Sequence, residues 1–230
     1  ILGEFGSFLI SKNGRYVAVG LGEDEMEPEV TTCELYDIDG NRLWKYEIGY
    51  PYSGCMNVFN DGSVLILRAL KEEKCEIALM NVKGNKIWKH EIIDAHYEMF
   101  CTAKGEIILY GADSKNHQRV LDKEIYHLYG FDKNGRFLWE PKRYVGFNNN
   151  FRDLKISEES CLLCGGRVGG YLWVMDINTG NILWEYKLES FNLGNYKTLY
   201  EISPDGKYML LGESILLDPR NAKVLKRIEN

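Results

Sequence analysis

Three carboxylic acids, Glu98, Asp153 and Glu201, are the residues whose type and position could carry out a reaction in this sequence. Each lies in a short apolar segment of the kind that forms a β-strand. Two carboxyl groups roughly 5–10 Å apart can act as the acid and the nucleophile or base of glycoside hydrolysis. The same acids also suit ordinary ion pairs in a water-filled channel, and we favour that interpretation.

The cysteines and the four histidines have no spacing that predicts a metal or redox site. Cys161 and Cys164 form a Cys-x-x-Cys pair, but no second pair completes a zinc site. In a strand-like run, residues i and i+3 point to opposite faces. Each cysteine lies in or beside an apolar segment, where a free thiol packs as a small hydrophobe. We therefore expect structural thiols rather than disulfides. We also expect no metal and no cofactor. Unpaired thiols favour a cytoplasmic location. The six cysteines are Cys33, Cys55, Cys75, Cys101, Cys161 and Cys164.

The composition argues against two classes of interaction. The 230 residues carry a net charge of −6, and no cluster of lysine and arginine supplies the basic surface that nucleic-acid binding requires. No apolar run approaches the length needed to span a bilayer. Apolar residues make up 45% of the chain, which is ample for one large core, so we expect residues 1–230 to form a single domain.

One sequence unit recurs five times along the chain. Its second half has an Asp or Asn, then a Gly, and ends in a Trp, as in the segment from Leu35 to Trp44. The last copy is degenerate, because Ala222 replaces the Gly and Lys226 replaces the Trp. The equivalent positions are 44, 51, 45 and 42 residues apart, which is the period of four-stranded propeller blades. They are Trp44, Trp88, Trp139, Trp184 and Lys226.

Both halves of the unit contain a tight turn. Asn-Gly, Asp-Gly and Lys-Gly pairs supply the positive φ that tight hairpins need. Each unit therefore reads as strand a, turn, strand b, loop, strand c, turn and strand d. The Trp is expected to open strand d and to pack between neighbouring blades. The acid or amide before the second turn is expected to hydrogen-bond to the turn backbone; these residues are Asp37, Asn81, Asp132, Asp176 and Asp218.

The b strands favour a propeller over a sandwich. Segments such as Val64–Leu67 and Tyr208–Leu211 are apolar at every position, whereas a sandwich strand alternates. Radially stacked blades cover both faces of each sheet. We predict an all-β fold, a β-propeller of five four-stranded blades of about 45 residues each. The blades span about 5–48, 49–92, 93–145, 146–190 and 191–230.

The repeat resembles that of the WD40 and PQQ-like β-propellers. Asp176-x-x-Thr-Gly-x-x-x-Trp184 is similar to the PQQ-type repeat, and Ser203-Pro-Asp-Gly206 is similar to the WD40 turn after strand a. The resemblance covers the whole chain and implies the propeller fold. For function it implies either a PQQ-dependent dehydrogenase or a non-catalytic scaffold. The dehydrogenase would have adjacent cysteines in its PQQ site, and no two cysteines here are adjacent.

A second resemblance keeps a hydrolase as an alternative. Phe151-Arg-Asp153 is similar to the Phe-Arg-Asp-Pro element of invertase-like glycoside hydrolases, whose Asp stabilises the transition state, although Leu154 replaces the Pro. The Asn-Asp-Pro-Asn-Gly nucleophile motif and the Glu-Cys acid motif of that family are missing from the sequence. The alternative function is therefore a five-bladed carbohydrate-active hydrolase, and no catalytic residue is assigned.

The irregular loops are the predicted recognition surface. In each blade the a–b and c–d turns are tight, whereas the b–c and d–a loops are long and irregular. Loops that exceed what chain closure needs concentrate binding residues, and aromatic residues are the usual anchors. We predict a non-enzymatic binding or scaffold module for a protein or peptide partner; alternatively, the aromatics only cover the ends of the blades. The candidate residues are Tyr50, Tyr52, Arg68, His96, Tyr97, Tyr144, Phe147, Phe191 and Tyr196.

Strand a is expected to line a central channel, with its polar side chains converging there. The candidate channel-lining residues are Asn57, Glu98, Arg152, Asp153, Lys155 and Glu201. Two columns of strand a are apolar in every unit and are expected to pack. The first holds Phe8, Met56, Met99, Leu154 and Tyr200, and the second holds Ile10, Val58, Cys101, Ile156 and Ile202.

Overall fold

The structure is a computed structural model of the chain, and it describes eleven stretches of the backbone. These are residues 7–22, 31–48, 54–70, 74–93, 95–102, 104–113, 125–145, 151–167, 171–187, 200–211 and 215–227. Within these stretches all regular structure is β-strand, and the strands form five four-stranded sheets.

Each sheet is an antiparallel meander, so its strands neighbour one another in chain order. Blade 1 holds β1 (Ser7–Ile10), β2 (Tyr16–Gly22), β3 (Thr31–Asp37) and β4 (Arg42–Glu47). Blade 2 holds β5 (Gly54–Val58), β6 (Val64–Ala69), β7 (Lys74–Met80) and β8 (Lys86–Ile93). Blade 3 holds β9 (Ala95–Cys101), β10 (Ile107–Asp113), β11 (Ile125–Phe131) and β12 (Lys142–Val145). Blade 4 holds β13 (Phe151–Ser157), β14 (Leu162–Arg167), β15 (Tyr171–Asp176) and β16 (Asn181–Lys187). Blade 5 holds β17 (Tyr200–Ile202), β18 (Met209–Leu211), β19 (Ile215–Asp218) and β20 (Lys223–Arg227).

The chain divides into two compact units, Ile1–His96 and Tyr97–Asn230. In the first unit, one apolar core lies between blades 1 and 2 and joins Leu35 and Trp44 to Ile66 and Met80. Among the described residues of the second unit, one such core lies between blades 3 and 4 and another between blades 4 and 5.

Blade 4 explains why the inner strands are apolar at every position. Leu163 and Trp173 lie in the core shared with blade 3, whereas their neighbours Leu162 and Leu172 lie in the core shared with blade 5. Successive residues of a strand point to opposite faces, so a sheet covered on both sides needs apolar residues throughout. The five four-stranded blades and the all-β fold predicted from the sequence are confirmed.

The tight turns have the predicted chemistry. Eight of their glycines have positive φ, among them Gly40, Gly84 and Gly180. The carboxylate of Asp37 accepts hydrogen bonds from the backbone N–H groups of Asp39 and Asn41, 3.0 and 2.9 Å away. Asn81, Asp132, Asp176 and Asp218 accept equivalent bonds from the backbone of their own turns. These bonds satisfy the turn backbone within each blade.

The tryptophans join neighbouring blades, as the repeat predicts. The Trp139 indole N–H donates to the Ile177 carbonyl of blade 4, 2.8 Å away, and its ring lies against Gly180. The Trp184 N–H donates likewise to the Pro219 carbonyl of blade 5, 2.7 Å away. Trp44 packs on Gly84 of blade 2 through its ring alone, since its buried N–H meets no acceptor among the described residues.

Two local expectations are corrected by the structure. Trp139 does not open strand d of blade 3, because β12 begins only at Lys142. Pro141 has no N–H to donate to the ladder, which delays pairing at this point. Cys161 lies in the turn before β14, with a φ of 55°, and so takes the left-handed conformation that glycine takes in the other blades.

The expectation of unpaired cysteines is wrong for Cys33, which is disulfide-bonded. Its partner sulfur lies outside the described side chains. Cys161 and Cys164 are free thiols. Cys33 lies on a central strand of blade 1, and strand patterns carry no information about which sulfurs meet across blades. The prediction of a cytoplasmic location was based on unpaired cysteines, so the disulfide of Cys33 removes its basis.

Candidate functional site

The two ends of the sheets differ in how the strands are connected. At the end with the a–b and c–d turns, connections have four to six residues, apart from the ten-residue connection between β11 and β12. At the other end they range from one residue between β8 and β9 to twelve residues, 188–199, between β16 and β17. We call this second end the loop end of the sheets. Its connections, which differ in length from sheet to sheet, carry most of the residues that the sequence predicts to bind a partner.

Most of the predicted binding residues fall outside the described part of the chain. Tyr50, Tyr52, Phe147, Phe191 and Tyr196 lie outside the described residues. His96 and Tyr97 lie in β9 and Tyr144 lies in β12, but their side chains are also outside the described part. The assignment of these eight residues to a binding surface stays a prediction.

Arg68 is the one predicted binding residue whose side chain is described. It is half-buried near the end of β6, and its Cα pairs with that of Glu76 on β7. The Glu76 carboxylate is held by the ammonium groups of Lys86 and Lys89, 2.5 and 3.2 Å away. Lys86 also lies over the Tyr46 ring of blade 1, 5.4 Å from its centroid. Arg68 thus lies on the strand next to a charged cluster of Glu76, Lys86 and Lys89 that contacts blade 1.

Electrostatics in this cluster favour an ionised Glu76. Burial alone would raise the pKa of Glu76, because it disfavours the charged form. The hydrogen bonds and charges of Lys86 and Lys89 outweigh burial and hold the pKa below its ordinary value. Glu34 of blade 1 repeats the arrangement: its pKa is also lowered, against burial, by Tyr36, Arg42 and Lys45. Neither buried acid was singled out from the sequence, since no motif distinguishes it from the exposed acids of the chain.

We expect Glu76→Gln to destabilise the chain by about 1–3 kcal/mol at neutral pH, because the ammonium groups of Lys86 and Lys89 lose their buried, charged partner. A lowered pKa contributes stability that is present above the unfolded-state pKa, about 4.3, and is lost as pH falls through the folded-state value. The difference in free energy of unfolding between wild type and variant should therefore shrink below about pH 4. Urea unfolding at a series of pH values measures it. If this difference in free energy stays constant down to about pH 2, Glu76 does not act as the ionised partner of Lys86 and Lys89.

The predicted channel-lining residues all lie on the first strands of their blades, but only three have described side chains. Asn57 lies on β5 and is half-buried. The Lys155 ammonium on β13 pairs with the Glu201 carboxylate on β17, 3.1 Å away, which links blades 4 and 5. Glu98, Arg152 and Asp153 have described backbones, while their side chains lie outside the described part. Lining of a channel stays a prediction for all six.

Neither thiol of the Cys161-x-x-Cys164 pair is suited to nucleophilic chemistry. Burial, followed by the charge of Glu201, raises the pKa of Cys164 to about 12, so this thiol is protonated at neutral pH. Burial also raises the pKa of Cys161. The two residues belong to different apolar cores, Cys161 toward blade 3 and Cys164 toward blade 5. The two sulfurs are therefore placed on opposite sides of the blade 4 sheet, although Cys161 lies in the turn and not in β14.

The described residues hold neither a cluster of metal-binding side chains nor a membrane-spanning helix. Three or more His, Cys, Asp or Glu side chains placed to hold a metal ion do not occur among the described residues. Along the same stretches, nothing helical is long and apolar enough to cross a bilayer.

Comparison with known proteins gives the fold. The "Structure of Dos1 propeller" matches with a TM-score of 0.60 and 12% sequence identity, over 98% of this chain and 60% of that chain. BamB from Moraxella catarrhalis matches with a TM-score of 0.53 and 14% identity, over 96% of this chain and 60% of that chain. The fold is a β-propeller, in agreement with the WD40/PQQ-like repeat seen in the sequence.

The likeness is confined to structure. No known protein family and no curated protein matches the sequence. The chain spans 60% of the length of each of the two solved propellers it resembles.

Proposed function

We propose that this chain is a non-enzymatic propeller module that binds a protein or peptide partner through the loop end of its sheets. The observation that carries the proposal is the contrast between the two ends. The turn end is built from connections of four to six residues, apart from the ten-residue connection in blade 3, and the acid or amide before each c–d turn bonds the turn backbone. The loop end instead carries connections of eight, eleven and twelve residues, 23–30, 114–124 and 188–199, which exceed what closure requires.

The aromatic content of these connections supports peptide recognition. Tyr50, Tyr52, Phe147, Phe191 and Tyr196 all fall between strands at the loop end. Aromatic side chains contribute large contact areas at low entropic cost, and they dominate the energetics of protein interfaces. The mildly acidic chain, with its net charge of −6, favours partners with basic segments.

We expect the triple substitution of Tyr97, Phe147 and Tyr196 by alanine to remove peptide binding while leaving the melting temperature nearly unchanged. Linear peptides would be selected on the wild-type chain from a random phage-displayed library, and their affinities measured for both proteins. Binding should fall by about tenfold or more, the effect of losing one aromatic anchor.

The matched control is Ile87→Ala, an exposed apolar residue beside the turn end of blade 2. The selected peptides should bind this variant as tightly as wild type. If the peptides bind the triple variant with unchanged affinity, the recognition surface lies elsewhere. The same conclusion follows if Ile87→Ala abolishes peptide binding.

A further inference from the structure

Arg68 is a charged residue in a strand that is otherwise apolar. It is half-buried near the loop end of β6, and the four residues before it, 64–67, are buried. The propeller repeat does not require a side chain at this position, because the other four units have glycine there. The equivalent residues, six positions after the a–b turn, are Gly20, Gly111, Gly166 and Gly212.

The strand register places Arg68 on the face of blade 2 that packs against blade 1. Residues two apart in a strand share a face, and so do residues paired across strands. Ile66 precedes Arg68 by two residues and pairs with Ala78, and both belong to the core between blades 1 and 2. Gly54, the first residue of β5, pairs with Leu67. Arg68 therefore lies beside the point where the connection from β4 enters the sheet of blade 2.

Glu76 does not neutralise Arg68, although their Cα atoms pair across the strands. One oxygen of the Glu76 carboxylate contacts the Lys86 ammonium at 2.5 Å, and the other contacts the Lys89 ammonium at 3.2 Å. The Arg68 guanidinium itself has neither an ion pair nor a hydrogen bond with any side chain that the structure describes. It is a half-buried cation whose nearest acid by register is already engaged by two lysines.

The charges on this face of blade 2 do not balance. Glu91 pairs with Glu76 across the strands and so shares its face. The Glu91 carboxylate is 4.0 Å from the ammonium of Lys74, which is also on this face. Two acids, Glu76 and Glu91, therefore share the described strands of this face with four cations. The cations are Arg68, Lys74, Lys86 and Lys89.

An anion from outside the chain would remove this imbalance. A half-buried guanidinium loses hydration, and without a partner nothing compensates for that loss. Its planar fork of N–H groups matches a carboxylate, which accepts two parallel hydrogen bonds from it. A peptide that reaches the loop end carries carboxylates only on Asp, on Glu and at its C-terminus.

We propose that the Arg68 guanidinium binds a carboxylate of the peptide partner. The inference rests on the proposed function and adds to it the chemical group that the loop end selects. A suitable partner is mixed in charge: basic segments suit the net charge of −6 on the chain, and a carboxylate suits the local excess of cations beside Arg68.

The first measurement is the free energy of unfolding of Arg68→Gln in urea, without peptide. Glutamine removes the charge and keeps a polar side chain. Because the guanidinium has no partner among the described side chains, the variant should be at least as stable as wild type. A lower free energy of unfolding would mean that Arg68 stabilises the fold, and would overturn the proposal.

The second measurement is peptide affinity. Peptides are selected on the wild-type chain from two random phage-displayed libraries, one with free C-termini and one without, and synthesised with a fluorescein label. Each carboxylate is then neutralised, by amide side chains or by C-terminal amidation. Neutralising the one that Arg68 holds should weaken binding to wild type about tenfold or more, as fluorescence anisotropy would measure. The same change should hardly affect binding to Arg68→Gln. The effective neutralisation identifies the source of the carboxylate.

Arg15→Gln is the matched control, since it makes the same charge change at an exposed residue of the turn end in blade 1. The selected peptides should bind it as tightly as wild type. If they bind Arg68→Gln equally tightly, the role of Arg68 is refuted and the proposed function stands. If neither library yields a binder, both are refuted.

Discussion

Gly180→Ala is expected to lower the free energy of unfolding by about 2–4 kcal/mol, which corresponds to roughly 5–15 °C in melting temperature for a chain of this size. Two effects combine. The φ of 65° is strained for a residue with a Cβ, and that Cβ would lie 2.6–2.8 Å from three ring atoms of Trp139. The ring has no room to retreat, because it also lies against Gly130 of its own blade.

The matched control for this substitution is Gly40→Ala. Gly40 occupies the equivalent turn of blade 1 with a φ of 81°, and a Cβ there would meet nothing within 4 Å among the described residues. Gly40→Ala should lower the free energy of unfolding through backbone strain alone, by about 1 kcal/mol. Thermal and urea unfolding of the two variants would measure the difference. Equal costs would mean that the contact between Trp139 and the turn contributes nothing.

Trp139→Ala is expected to cost about 3–5 kcal/mol, the range found for removing a large aromatic from a packed site. The substitution removes the ring from between Gly130 and Gly180 and leaves the Ile177 carbonyl without its donor. Urea unfolding should show a lower midpoint. A loss below about 1 kcal/mol would mean that the ring packs on the surface without joining blades 3 and 4.

Trp139→Phe separates the two contributions of the indole. Phenylalanine keeps an aromatic ring against the turn glycine but has no N–H to donate to the Ile177 carbonyl. We expect a cost of about 1–2 kcal/mol, between wild type and Trp139→Ala. A cost equal to that of Trp139→Ala would assign nearly all of the joint to the hydrogen bond.

The regular parts of the fold were predictable because they depend on local chemistry repeated five times. The turn glycines, the acid before each c–d turn and the apolar inner strands each follow from backbone geometry within one blade. The Trp column could be assigned to blade contacts because it recurs at the blade period. Ala222, which has a φ of 58°, even keeps the left-handed turn without the glycine.

The features that escaped prediction do not recur in all five repeats, so no repeated pattern marks them. Cys33 gains a disulfide, although its strand pattern is that of any buried residue. Glu34 and Glu76 are buried acids whose neutralising lysines and arginine come from the next strand. Cys161 takes a positive φ in the one blade whose a–b turn lacks glycine. The candidate binding surface stays a prediction, because most of its residues lie outside the described part of the chain and loops of different length repeat no pattern.

Trp44, Trp139 and Trp184 each pack on or hydrogen-bond to the turn of the next blade, and these contacts are expected to stabilise the fold. A double-mutant cycle of Trp139→Ala and Gly180→Ala, measured by urea unfolding, tests it directly. Once the ring is gone, Gly180→Ala should cost no more than Gly40→Ala, which gives a coupling free energy of about 1–3 kcal/mol. If Gly180→Ala costs the same with and without Trp139, the ring and the turn are energetically independent and the claim is contradicted.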